Sequence, residues 1–224
     1  AICGTRLCSA SALEAARNGV RAKGLDLVED LIRQAEETSR AEKLEIEFIV
    51  GDAEDLPYPD DDFDFVISVF GAMFCPRPML AASELFRVCR PGGKVVMGNW
   101  TIEGEINDFF DVVSKYAPPL PSGVPSPMEW GTRKVVEERI GSKCSSLEME
   151  IRKLNMDFPM TPVEVSRHYI KYFGPTKTVY DLLDDQRKLE FESDLTKVWE
   201  KDNKGTSDNT VIEADYLQIV AIKK

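Results

Sequence analysis

Apolar positions along the first hundred residues switch repeatedly between a helical and an extended spacing. Leu13 to Asn18 is helical in character and stops at Gly19. "VRAKGLD" (20–26) then reads as a short strand ending in an acid. In "LVEDLIRQAEETSR", Leu27, Leu31 and Ala35 fall on one helical stripe with charges opposite. "LEIEFIVGD" (44–52) alternates apolar and polar residues before turning into "AEDLPYPDDD". "FDFVISVF" (63–70) is rich in β-branched and aromatic residues, the pattern of a strand buried on both faces. "MLAASELFRVCRPGG" predicts a helix stopped by Pro-Gly-Gly, and "KVVMGNW" another buried strand. Strand and helix alternate throughout, which predicts an α/β fold: a doubly wound, mostly parallel sheet with right-handed crossovers.

The pattern changes after Trp100. "YAPPLPSGVPSPMEWG" (116–131) holds five prolines and resists regular structure. Such a stretch in a compact domain is a functional loop or lid, although "PPLPSGVPSP" also has the composition of a polyproline ligand. Its place between a sheet and a helix favours a stiff lid. "SSLEMEIRKLNMDF" reads as a strand, and "TPVEVSRHYIKYFG" as a helix opened by Thr161-Pro162. "TVYDLLDDQRKLEFESDLTKVWEKDN" reads as one long helix or two, and "TVIEADYLQIVAIKK" as an edge or antiparallel strand. At 224 residues the chain suits one domain, with 1–101 as a ligand-binding half and 102–224 as a half carrying the lid and final strand.

Composition narrows the function. The 28 basic and 39 acidic side chains leave a net charge of −11, which repels phosphate backbones and anionic membranes in the absence of a basic run. No apolar run approaches the ~20 residues of a membrane span, and no charged-then-apolar leader precedes a cleavage site. Five scattered cysteines and a single histidine give no metal-ligand spacing, so no metal is expected. A reduced, cytoplasmic protein without nucleic-acid or membrane partners is the expectation; the oligomeric state is not legible.

Ligands of open parallel sheets bind at the carboxyl ends of the strands. There the chain offers Asp26, then Gly51-Asp52-Ala53-Glu54, then Ser68-Val69-Phe70-Gly71-Ala72. A carboxylate such as Asp26 can accept hydrogen bonds from both hydroxyls of a ribose. Asp52 can accept from an adenine amino group while the next backbone N–H, that of Ala53, donates to the ring. A solvated loop acid is the competing reading for either aspartate alone; two acids a strand-helix-strand unit apart favour function.

The stretch "EFIVGDAEDLPYPDDDFDFVISVFGAMFC…ELFRVCRPGGKVVMGNW" closely resembles the class I S-adenosylmethionine-dependent methyltransferases, specifically the type 11, small-molecule branch. That branch carries "GDAEDLPFPDxxFDxVxS" followed by "ExxRVxRPGGxxxxxxW", and the likeness runs with gaps from Gly24 to Thr101. It implies a Rossmann-like sheet of seven strands, the last antiparallel, with S-adenosylmethionine as cofactor and a small-molecule methyl acceptor. It also implies Asp26 as the ribose acid with Leu27 beside the adenine, and Asp52 and Ala53 as adenine-edge readers. Ser68 and Val69 become a platform under the methionine and sulfonium, with residues 70–74 near the transferred methyl.

A sulfonium is already an activated donor, so such enzymes need alignment and dryness rather than a catalytic triad. His168 is the candidate base for a hydroxyl acceptor, against the plain reading of an ordinary helical histidine. Phe74, Trp100 and Trp130 are candidate walls of an acceptor pocket, against plain core packing. The family's Gly-x-Gly-x-Gly loop aligns with "ICGTR", with Gly4 as its central glycine but Ile2 and Arg6 at the outer two. The loop's acid and first strand would precede Ala1. Another segment filling that space, a disordered loop, or a sequence incomplete at its front are the three expectations. Two alternatives stay open: a methyltransferase-like protein without activity, and a nicotinamide-dependent oxidoreductase, although no Gly-x-Gly-x-x-Gly is present.

Overall fold

The computed structural model describes residues 8–119 and 121–224. Residues 2–6, including the candidate Gly4, lie outside the described residues. Parallel pairing needs a crossover, and helices supply it. Helix α1 (Cys8–Arg17) leads through Gly19, at φ +76, to β1 (Ala22–Asp26). Helix α2 (Glu29–Glu42) returns the chain to β2 (Ile46–Val50), which pairs in parallel with β1 from Ala22↔Ile46 to Asp26↔Val50. Strand β3 (Phe63–Val69) runs through α3 (Pro78–Val88) to β4 (Cys89–Trp100), again in parallel. The remaining elements are α4 (Glu105–Tyr116), α5 (Arg133–Ile140), β5 (Cys144–Phe158), α6 (Pro162–Tyr172), α7 (Gly174–Leu182), α8 (Asp185–Lys201) and β6 (Thr210–Lys223).

The described strands form a two-stranded sheet, β1-β2, and a four-stranded sheet ordered β3-β4-β6-β5. Strand β6 runs against its neighbours. Lys223 Nζ, at its end, donates to Cys89 O at the start of β4 (2.7 Å), while Thr101 N, just past β4, donates to Asp215 O (3.4 Å). Ser145 Oγ likewise reaches Ile222 O and Thr210 Oγ1 reaches Met160 O, pairing β5 with β6 in opposite directions. The sheet is therefore mainly parallel with an antiparallel strand, as the sequence predicts. Six strands lie among the described residues where the resemblance implies seven.

The chain divides into two compact units. One holds residues 1–100, 124–151 and 217–224, the other residues 101–123 and 152–216. The first packs α1, α2 and α3 on the strands, with Val66, Ala81, Val88 and Val95 wholly buried. The second is a helical cluster in which Phe109 of α4 and Tyr169 of α6 lie 5.3 Å and 5.1 Å from the Trp199 ring of α8.

Several expectations are corrected. Leu27 lies outside α2 and is 65% exposed; the buried stripe is Ile32, Ala35 and Ser39. Strand β3 is not buried on both faces, since Phe65 is 52% exposed. No described strand pairs with its far edge. Pro91-Gly92-Gly93 does not separate helix from strand: β4 begins at Cys89 and absorbs the turn as a bulge, Phe63 pairing with Cys89 but Phe65 with Lys94. Gly92 takes the left-handed conformation the bulge requires (φ +73). The long C-terminal helical pattern is two helices, because Asp184 starts a new one by accepting from Arg187 N (2.8 Å). Thr161 and Glu164 form a reciprocal capping box that opens α6 where Thr161-Pro162 predicts it.

The connection from β2 to β3 contains no helix or strand, and α3 holds it in place. Arg87 Nη2 donates to Leu56 O (2.9 Å), and Nη1 donates to Tyr58 O (2.7 Å) and Asp60 (2.8 Å). Its Nε and Nη2 also form a fork on Glu84, whose Oε2 accepts Leu56 N (2.8 Å). The Arg87 hydrogen bond holds the Glu84 carboxyl below its ordinary value, against the opposing effect of burial. A carboxyl depressed in the folded state stabilises fully above its unfolded value, about 4.5, and loses that contribution as pH falls through the lower folded value. Arg87→Ala should therefore cost about 2–3 kcal/mol in urea unfolding at neutral pH and flatten the stability loss below about pH 4.5. Arg87→Lys, which keeps the charge but not the fork, should recover less than half.

Candidate functional site

The ends of β1 and β2 meet directly. Gly51 N donates to Asp26 O (2.9 Å), joining the two strand ends that carry the predicted acids. Gly51 permits this approach, because a Cβ there would stand 2.8 Å from Leu25 Cδ1. The Asp26 side chain is 1% exposed, and its Oδ1 accepts Val28 N (2.9 Å), which fixes the carboxylate at the strand tip. Leu27, beside it, presents its apolar side chain outward. Asp52 is exposed and forms a tight turn in which Oδ1 accepts Glu54 N (2.9 Å). Ala53 is buried behind it.

Two residues of this region escape sequence reasoning. Glu54 is buried, and its carboxylate accepts both the backbone N–H (2.6 Å) and Nε (2.5 Å) of Arg77, tying the Asp52 turn to the start of α3. Cys75 is the second: burial, then the charges of Glu54 and Asp52, push its thiol up to about 12. It is a neutral neighbour of the acidic turn and no nucleophile. Only tertiary packing creates either role, so spacing carries no signal for them.

The ends of β3 and β4 form the other half. Ser68 is buried and its Oγ accepts Ala72 N (3.0 Å), closing a short 3-10 turn (Ala72–Phe74) that carries the half-buried Phe74. Phe70 N continues the ladder to Gly98 O (2.8 Å), so Val69 stays within the strand. The Phe70 ring lies flat on Trp100, centroids 3.6 Å apart and planes 7° from parallel. Trp130 sits in a second 3-10 turn (Pro127–Gly131) that packs against β4 and the Ala72–Phe74 turn. It is fully buried, with the Arg139 guanidinium 4.7 Å above its ring and that guanidinium bound to Glu129 (2.7 Å). Asn99, between Gly98 and Trp100, was not singled out from sequence. It is wholly buried, and neither amide atom has a hydrogen-bond partner among the described residues.

Asp26, Leu27, Asp52, Ala53, Ser68, Val69, Phe74, Trp100 and Trp130 thus all belong to one unit. His168 belongs to the other, half-buried on α6 with its ring 4.9 Å from that of Tyr172. The first unit combines carboxylates, backbone N–H groups and aromatic faces at strand tips. That chemistry suits holding a polar ligand and aligning it. Among the described residues no group of three His, Cys, Asp or Glu side chains gathers as a metal site, and no helix is long and apolar enough to cross a membrane.

Comparison with known proteins agrees with this arrangement. The family described as "Methyltransferase domain" matches residues 3–97. An uncharacterized protein of Mycobacterium tuberculosis is 33% identical over 173 residues, covering 77% of this chain and 63% of the relative, so the chain spans less than two thirds of that protein. A second uncharacterized M. tuberculosis protein is 31% identical over 212 residues, 95% of this chain and 77% of its own length. A demethylmenaquinone methyltransferase of Lysinibacillus sphaericus is 34% identical over 121 residues, 53% of this chain and 51% of that enzyme. Among solved structures, a candidate methyltransferase of Bacillus halodurans C-125 shares the fold with TM-score 0.59 at 19% identity, over 98% of this chain and 90% of that one. The phosphoethanolamine N-methyltransferase 2 of Haemonchus contortus, solved with S-adenosylhomocysteine, aligns with TM-score 0.55 at 19% identity, over 99% and 48%.

The acidic turn makes Cys75 a reporter. With its thiol held neutral, Cys75 should alkylate with iodoacetamide at pH 8.5 at least about tenfold more slowly than a cysteine in a short peptide, read by mass spectrometry. Glu54→Gln, which removes one of the two charges, should speed the reaction.

Proposed function

This chain belongs to the class I S-adenosylmethionine-dependent methyltransferases, and we propose that it transfers a methyl group from S-adenosylmethionine to a small organic acceptor. The observation that carries this reading is the buried Asp26 carboxylate at the tip of β1, tied through Gly51 to the Asp52 turn. The donor set fits an adenosine. Asp26 accepts from the ribose hydroxyls while Val28 N holds the carboxylate in place. Leu27 covers the adenine, Asp52 Oδ2 accepts from its amino group, and Ala53 N donates to its ring. Gly51, with no side chain to meet Leu25, lets the two acid-bearing strand ends lie together. Gly4, the central glycine in the alignment with the family's loop, is proposed as a further cofactor contact.

S-adenosylmethionine supplies a methyl already activated by the sulfonium charge. The protein's task is to hold donor and acceptor in line and exclude water, an effect worth ~7–11 kcal/mol in favourable cases. Ser68 and Val69 support the methionine end. Phe74 and Trp100 are the aromatic side chains offered to the acceptor, in keeping with a small, apolar or aromatic molecule, whereas the buried Trp130 supports them from beneath with Arg139 over its ring. The likeness to a demethylmenaquinone methyltransferase makes a quinone-type acceptor the first to assay. Free thiols at Cys75, Cys89 and Cys144 suit a reducing, cytoplasmic setting, and a net charge of −11 suits a small-molecule partner over nucleic acid or membrane. The comparisons favour methyl transfer over the oxidoreductase alternative.

Calorimetric titration with S-adenosylhomocysteine tests the reading. Wild type should bind it and not NAD. Asp26→Ala should weaken binding by about a hundredfold, the worth of two charge-assisted hydrogen bonds. Asp26→Asn, isosteric with it, should weaken binding nearly as much while keeping the native circular dichroism spectrum. No binding to wild type would overturn the proposal, and unchanged affinity in both variants would remove Asp26 from it.

A further inference from the structure

Strand β5 (Cys144–Phe158) is the last strand of its sheet, and no described strand lies along its outer edge. Its 15 residues far exceed the five or six usual for a strand. Such an edge presents a row of backbone N–H and C=O groups to any strand that approaches. Proteins blunt edges of this kind with proline, with lysine, or with a covering loop. Pro159 follows β5 rather than interrupting it. Among the described residues, no loop backbone hydrogen-bonds to 153–157 from outside the sheet. Lys153 is the lysine guard, and what it guards against depends on what stands opposite.

The segment 153–157 reads Lys-Leu-Asn-Met-Asp, and it is complementary to its own reverse. Alternation puts Lys153, Asn155 and Asp157 on one face and Leu154 and Met156 on the other. The apolar face continues to Phe158, whose ring lies 6.1 Å from Tyr169 and 6.2 Å from Trp199. Leu154 lies beyond that cover and is 37% exposed. A second copy laid antiparallel, with Asn155 on a twofold axis, sets Lys153 opposite Asp157 and Leu154 opposite Met156, each twice. Opposed residues share a face, so polar meets polar and apolar meets apolar. Asn155 and Asp157 are exposed, and Asp157 forms no ion pair among the described residues. Lys153 already donates to Glu213 (2.6 Å) and lies 3.2 Å from Asp215, but an ammonium has a third donor to give. A foreign strand would have to bury that lysine unmatched, whereas the chain's own reverse brings it a carboxylate.

We propose that β5 pairs with β5 of a second copy, joining two four-stranded sheets into one of eight strands about an axis at Asn155. The partner is this chain itself, and the pairing stands apart from the methyl-transfer reading. One added strand pair buries less than the ~1,200–2,000 Å² of a standard stable interface, so the dimer is reversible.

Sedimentation equilibrium at about 0.15 M salt, where the long-range repulsion of two acidic chains is screened, tests the pairing. Wild type should pass from monomer to dimer as concentration rises. Asp157→Lys sets like charges opposite each other in both pairs and should weaken the dimer at least about tenfold. Asn155→Lys, which brings two ammonium groups together on the axis, should do the same. Both positions are exposed, so both variants should keep the native circular dichroism spectrum. Under mild oxidation Asn155→Cys should join to its own copy, because directly opposed residues stand about 4.5–5.5 Å apart at Cβ. Arg152→Cys should not exceed the wild-type background, since its two copies would lie about 20 Å apart. A wild type that stays monomeric, or a dimer that survives both lysine variants unchanged, overturns the proposal. Crosslinking through Arg152→Cys and not through Asn155→Cys also overturns it, because the axis then lies elsewhere.

Discussion

Arg87 is the side chain on which the ordering of the ligand end depends. The connection between β2 and β3 carries Asp52, Glu54, Asp55, Asp60, Asp61 and Asp62, a density of negative charge that on its own would repel itself into solvent. Arg87 turns that liability into structure by distributing its nitrogens over two backbone carbonyls and two carboxylates. Leu56 and Tyr58 can then bury beneath the connection. The backbone joins in, with Asp61 N donating to Arg87 O (3.0 Å), and Lys223 Nζ closes the far side on Asp61 (2.7 Å). Glu54 repeats the device at the other end by gripping Arg77. The Asp52 turn is thus fixed from both directions, which is what its proposed part in reading an adenine edge requires.

This explains why the "ExxRVxRPGG" signature is so legible and yet says nothing of chemistry. Glu84 and Arg87 are spaced one helical turn apart so that a fork can close on the "DLPYPD" segment opposite, and the two motifs specify each other's geometry. Asp26 and Asp52 were readable because strand ends in a parallel sheet are places, fixed by connectivity alone. The polar groups that matter through burial were not: Glu54, Cys75 and Asn99 owe their surroundings to residues distant in sequence. Local spacing misled where two codes compete. Leu27 shares the period of α2 but belongs to the strand tip, and Pro91-Gly92-Gly93 punctuates a strand by bulging it. Helix α4 was within reach, for Ile106, Phe109, Val113 and Tyr116 recur at helical intervals; α5, only eight residues long, lacks enough turns to reveal a stripe.

The remaining constraint concerns how the two halves of the site are kept in register. Asp26 and Asp52 stand on the β1-β2 sheet, while Ser68, Phe70 and Trp100 stand on the sheet that begins with β3, and no hydrogen-bonded ladder joins the two among the described residues. Helix α1 packs against β1, β2 and β3 alike. Its Ala12 and Leu13 are buried, and the approach to β1 is possible because Gly24 has no side chain: a Cβ there would stand 3.5 Å from Ala12 Cβ and 2.6 Å from Phe48. The fork from Arg17 to Glu42 (2.7 and 2.6 Å) ties α1 to α2, but both groups are exposed and add little. Among the described residues, packing through Ala12 and Leu13 connects the sheet that carries Asp26 with the strand that carries Ser68. A ladder tolerates almost no slip, whereas packed side chains can slide by fractions of an ångström. In-line transfer is sensitive to displacements of that size, so the fit of α1 against Gly24 bears on the proposed methyl transfer although no atom of it need touch the ligand.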